Sequence, residues 1–142
     1  MDKLIYPAHE SLYFHNSLAC VVEHPGLYVR VDWMPTPMFS GHLREVYEHI
    51  LLLLKESGLT KVLSDHQLMP AIMPSDQEWL TSDWAPRAVR EGGYRRCAIV
   101  DAHDIYTRLG NTRLVQQIRR RTLLTVAHFP DCRSAESWLA TC

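Results

Sequence analysis

The sequence predicts an α/β fold: a mixed sheet opened by an N-terminal antiparallel hairpin and completed by a C-terminal parallel β-α-β-α-β-α part. Three observations predict it. Two strand-like runs, 18–24 and 27–34, flank a single Pro-Gly turn, and the second alternates between an apolar and a mostly polar face. Three short apolar runs, 61–65, 95–101 and 123–129, recur downstream. Stretches with helical period, long enough to serve as crossovers, separate those runs, which is the pattern of parallel strands joined by helices.

The hairpin comes first. "LACVVEH", 18–24, and "LYVRVDWM", 27–34, flank Pro25-Gly26. Proline presets φ at the first central position and glycine supplies positive φ at the second, which defines a type II turn. Tyr28, Arg30, Asp32 and Met34 fall on one face and Leu27, Val29, Val31 and Trp33 on the other, as in a strand with one wet face. A shorter strand near Leu12 to Phe14 precedes the pair.

"PTPMFSG" breaks this pattern. Leu43, Val46, Tyr47, Ile50, Leu51 and Leu54 then recur three and four apart, the apolar stripe of a helix. Ser40 is the expected N-cap and Gly58 the expected C′ residue. Leu52 and Leu53 widen the stripe toward the core or a dimer contact. After the 61–65 strand, a helix is expected from Ser75 to about Glu91, bent at Pro86, whose missing N–H removes a hydrogen bond. Gly92-Gly93 ends it. The 95–101 strand leads to a helix from Asp104 to about Arg119, with Gly110-Asn111 as a break point. The 123–129 strand leads to a last helix, Asp131 to Ala140, packed through Ala135, Trp138 and Leu139.

At 142 residues the chain is long enough for one domain with one core, about 18–140. The N-terminal "MDKLIYPAHE" lacks the apolar core of a signal peptide. The aliphatic run Ile50 to Leu54 falls far short of the roughly 20 residues that span a bilayer. The expectation is a cytoplasmic protein without a membrane span. Cys20, Cys97, Cys132 and Cys142 form no C-x-x-C pair, so neither a disulfide framework nor a zinc site is expected. Net charge is −1 but unevenly spread: residues 1–86 carry −6, residues 87–121 carry +6 and the remainder −1. Such a division suits solvated helix faces, and also an anionic partner or pairing between copies.

Ser75-Asp76-Gln77-Glu78 matches S-x-x-E, the capping box, in which the serine hydroxyl accepts from the N–H of Glu78 and the glutamate reaches back. On this reading Ser75 is a helix cap, Asp76 favours the positive helix end, and Trp79, Leu80 and Trp84 supply the buried face.

The order of elements resembles the STAS domain, the fold of bacterial anti-sigma-factor antagonists, and is most similar to small stand-alone bacterial STAS-like proteins of poorly defined function. The resemblance spans roughly residues 18–140. It rests on Asp65 ending a strand, Ser75-Asp76 with Trp79 opening the next helix, Pro86 and Ala88, Gly92 before "CAIV", and Phe129 followed by "SAESWLA". It implies a regulatory or adaptor module acting through protein contacts rather than an enzyme, without cofactor. In phosphorylation-switched members a serine directly follows an aspartate in a D-S-x-G setting. Ser75 holds the comparable place and is the candidate phosphosite, although here the order is Ser75-Asp76 and no glycine follows. The STAS fold is also similar to lipid-binding sheet-and-helix domains. That likeness, with the aromatics Trp33, Trp79, Trp84 and Phe39, implies the alternative of carrying a small apolar or amphiphilic ligand.

Ligands of open α/β sheets gather beyond the carboxyl ends of parallel strands. Two strands end in "SDHQ", 64–67, and "DAHD", 101–104. If they are neighbours, Asp65, His66, Asp101 and His103 form a ligand edge able to hold a metal or move protons. The competing reading is loop-capping carboxylates and solvated histidines. No H-E-x-x-H spacing, G-x-S-x-G or phosphate-binding glycine motif occurs, so catalytic and metal residues are not assigned. His42 and His49 share a helical face, most simply as polar flanks of its apolar stripe. Arg108, Arg113 and Arg119-Arg120-Arg121 could meet phosphates, but no aromatic platform accompanies them and a nucleic-acid partner is not expected.

Overall fold

A computed structural model describes residues 10–141 of the chain. The readings of residues 1–9 and of Cys142 fall outside the described residues. Six strands form one sheet in sequential order. β1 (Ser11–His15), β2 (Ala19–His24) and β3 (Tyr28–Trp33) pair antiparallel. β3, β4 (Lys61–Asp65), β5 (Arg96–Val100) and β6 (Thr125–Phe129) pair parallel. The expected architecture of antiparallel hairpin and parallel part is therefore present. The parallel part has one more member than expected, because the second hairpin strand is itself followed by a crossover helix and joins it. At the hairpin turn Leu27 N–H bonds His24 O at 2.9 Å and Gly26 sits at φ 76°, the type II geometry.

α1 (Ser40–Ser57) buries Leu43, Val46, Ile50, Leu51, Leu53 and Leu54. Leu53 belongs to the core, whereas Leu52 is exposed. Gly58 closes the helix at φ 76° with its N–H on Leu54 O, as expected. The expected N-cap is displaced. Phe39 occupies the cap position, and Ser40 is the first helical residue, its hydroxyl turned to Asp76 at 2.8 Å.

The second crossover is a continuous helical run: α2 (Pro74–Trp79), a π turn (Leu80–Trp84) and α3 (Ala85–Gly92). The π turn stands where a bend at Pro86 was expected. Pro86 cannot donate and its ring crowds the carbonyl of the preceding turn. Widening that turn, with Ala85 N–H reaching Leu80 O, accommodates the ring without a break. α4 (Ile105–Arg121) runs uninterrupted through Gly110-Asn111, contrary to the expected break. Asp104 caps it, accepting from Thr107 N–H at 2.8 Å, and Asn111 is buried against the sheet. α5 (Cys132–Ala140) is capped by Asp131, which accepts from Ser134 N–H at 2.8 Å.

Strand periodicity assigns the two sheet faces. Ala19, Val21, Val29, Val31, Trp33, Val62, Cys97, Ile99 and Val126 point to the main core under α1, the α2–α3 run and α4. Sequential order with all crossovers on one face gives them a single hand. Tyr28, Leu63, Ala98 and Val100 point the other way, where Ala135 and Leu139 of α5 cover them. Among the described residues no helix is long and apolar enough to cross a membrane.

Candidate functional site

β4 and β5 are neighbours, with Asp65 beside Val100 in register, so the strand ends do lie on one edge. The four residues expected to gather there do not converge. Asp65 and His66 are adjacent on an extended chain and so point to opposite faces. Asp65 turns to the α5 side: one oxygen accepts from Gln67 N–H at 3.0 Å, and the other from the Gln67 amide at 3.2 Å and the Cys132 thiol at 3.6 Å. Burial and this carboxylate raise the Cys132 thiol to about 11, so it stays protonated. Asp101 pairs with His128 of β6 at 3.1 Å. His103 is exposed, and its backbone N–H, donating to Gln67 O, ties the two loops. Among the described residues no three His, Cys, Asp or Glu side chains are placed to share a metal ion.

His66 instead goes inward. It is 5% exposed, and the strand carries Ser64 to the same side. Asn111 donates its amide to His66 Nδ1 at 3.0 Å, which leaves the ring proton on Nε2, directed at Ser64 Oγ 2.8 Å away. Ser64 Oγ also accepts from Trp33 Nε1–H at 3.1 Å. The chain Trp33–Ser64–His66–Asn111 crosses the core from β3 to α4. Burial, with the nearby His128 adding to it, lowers the His66 pKa to about 4, so the ring is neutral at physiological pH. Sequence reasoning missed Ser64, Asn111, His128 and Trp33 as partners. The available signal is parity: Ser64 and His66 lie two and four residues after Val62 at the end of an extended segment and so share its inward face.

Ser64, His66 and Asn111 of this chain wall a cavity of about 70 Å³ between β4–β6 and the helices. Its apolar lining includes Ile50, Val62, Leu80, Ile99, Leu114 and Val126, with Trp84 and Tyr94 alongside. Trp84 Nε1–H bonds Tyr47 O at 2.7 Å, and burial raises the Cys97 thiol, another wall residue, to about 11. Of the four aromatics singled out in the sequence, Trp33 and Trp84 are core, Trp79 lies half-buried under the Arg44 guanidinium, and Phe39 is exposed.

At Ser75 the structure departs from the capping box. Helix α2 starts at Pro74, Met73 is the cap residue, and no side chain among the described residues caps the helix. Met73 O takes the N–H groups of Asp76 and Gln77 at 3.0 and 2.9 Å. Proline at the first helical position moves the start one residue upstream and places Ser75 inside the first turn. Its side chain is exposed. Asp76, fully buried, holds Ser40 Oγ at 2.8 Å and Arg44 Nε at 3.1 Å, which pins α1 to α2.

The carboxyl edge also displays apolar side chains. Met34 and Phe39 follow β3, Leu68 and Met73 follow β4, and Ile105, Tyr106 and Leu109 follow β5, all exposed. Asp101, Asp104 and Asp131 lie on the same edge, with Asp104 and Asp131 held below the usual carboxylate range by the N–H groups they cap. Comparison with protein-family models, with curated proteins and with solved structures returns no match.

Proposed function

We propose that the protein is a non-enzymatic, STAS-like regulatory or adaptor module that works by presenting the carboxyl edge of its sheet to a partner protein. The observation that carries this reading is the concentration of exposed apolar side chains on the loops and the first turns of α4 that share that edge. Scattered exposed leucines are ordinary, whereas apolar residues gathered on one edge are a feature of contact sites. The aspartates among them favour a partner whose apolar anchor is flanked by basic residues. Ser75 stands on this edge, exposed beside Met73, and is the position where a phosphate would alter it.

The test is a photo-crosslinking residue in place of Tyr106, with Gln116 on the flank of α4 as control, in the protein's own host. A discrete adduct is expected from position 106 alone, lost on Leu68→Asp with Leu109→Asp, and the captured protein should bind the purified chain. Equal adducts from both positions, or capture indifferent to the double change, would overturn the reading. With that purified partner, Ser75→Asp should shift affinity by about threefold and Ser75→Ala should leave it unchanged.

A further inference from the structure

We infer that the cavity beneath α4 is a binding site for a small neutral amphiphile, an alcohol-like molecule of about five heavy atoms. This inference stands independently of the edge contact proposed above. Three properties of the lining select the ligand.

The first is charge. Among the described residues no Asp, Glu, Lys or Arg lines the cavity, and the imidazole that does, His66, is held neutral by its surroundings. A carboxylate or ammonium guest would be desolvated there with no counter-charge, which excludes ionic ligands.

The second is hydrogen-bonding capacity left over by the protein. Ser64 Oγ accepts from Trp33 and His66, and among the described residues its own proton has no acceptor. Asn111 uses one amide hydrogen on His66, and among the described residues its Oδ1 has no partner. Tyr47 also lines the cavity, and its hydroxyl likewise makes no hydrogen bond among the described residues. The wall thus offers a free acceptor and free donors at nine-tenths-buried Ser64 and Asn111. A hydroxyl, donor and acceptor in one atom, can use either.

The third is size. A wholly apolar cavity of about 150 Å³ takes benzene and stays dry otherwise. At about 70 Å³ this one is half as large and partly polar, which suits a short aliphatic chain ending in a hydroxyl. Affinity for so few atoms should be on the order of millimolar.

The experiment titrates 1-butanol into the purified protein and follows the His66 ring, Asn111 amide and Trp84 indole signals by NMR, with xenon as an apolar probe. The expected result is saturable shifts confined to residues of this wall. Asn111→Leu should weaken 1-butanol about fivefold while leaving xenon binding in place, because only the alcohol uses the amide. Ala85→Leu, which fills the cavity, should abolish both, and Leu114→Phe serves if that variant fails to fold. Shifts that rise linearly without saturation would overturn the inference. So would an undiminished response in a folded filled variant, or cross-peaks showing water that butanol does not displace.

Discussion

At the scale of single residues, the fold turns on a few buried polar side chains whose roles separate cleanly by experiment. His66 is neutral when folded and ordinary when unfolded, with a pKa near 4 in one state and about 6.5 in the other. The unfolded chain therefore binds more protons between those values. The neutral ring's contribution is fully present above about pH 6.5 and is lost as pH falls toward 4, by about 3 kcal/mol in all. Urea unfolding between pH 5 and 7 should show this slope, and His66→Gln should flatten it; an unchanged slope in the variant would place the titration elsewhere. Asp76 and Ser75 make a second contrast. Asp76→Ala strands Arg44 and Ser40 and should cost about 3 kcal/mol. Ser75→Ala removes an exposed hydroxyl with no capping bond and should stay within about 0.5 kcal/mol. Were Ser75 the cap, its loss would cost about 1 kcal/mol, and chemical denaturation resolves the two values.

At the scale of elements, α4 is the telling case. Gly110-Asn111 reads as a helix breaker because both residues have low helical propensity, yet the helix passes through them. What overrides propensity is the buried bond from Asn111 to His66, a contact between residues 45 apart that no local window contains. Gly110 has open space where a Cβ would go and ordinary helical φ, so Gly110→Ala should raise stability by about 0.5–1 kcal/mol in thermal unfolding. A loss instead would mean that the helix is interrupted there. The same logic separates what was legible from what was not. Strands and helices announced themselves through period, and Gly58 and the Pro25-Gly26 turn through backbone demands that few other residues meet. The cap lies one residue before Ser40 and two before Ser75, because Asp76 draws the Ser40 hydroxyl away and Pro74 starts its helix early. Asp65 and His66 were grouped by sequence adjacency, although strand parity sends them to opposite faces.

At the scale of the whole molecule, the sequential strand order makes stability graded across the sheet. β4 and β5 are flanked on both sides and packed on both faces, their inner residues Leu63 and Ala98 fully buried. β1 is an edge strand with half-buried side chains, and its register slips between Leu12 and Phe14, leaving a residue without a ladder partner. β6 is the other edge, short and half-exposed, features that blunt a free edge against pairing with other chains. Amides whose only route to solvent is global unfolding should therefore lie in the middle strands. Native-state hydrogen exchange should find Leu63, Ser64, Ala98 and Ile99 exchanging at the full unfolding free energy and falling with urea at the global slope. Amides of β1 should exchange through local opening that urea hardly affects. Equal protection of β1 and β4 would mean that the antiparallel hairpin and the parallel part open as one unit, and the sheet's order would then not grade its stability.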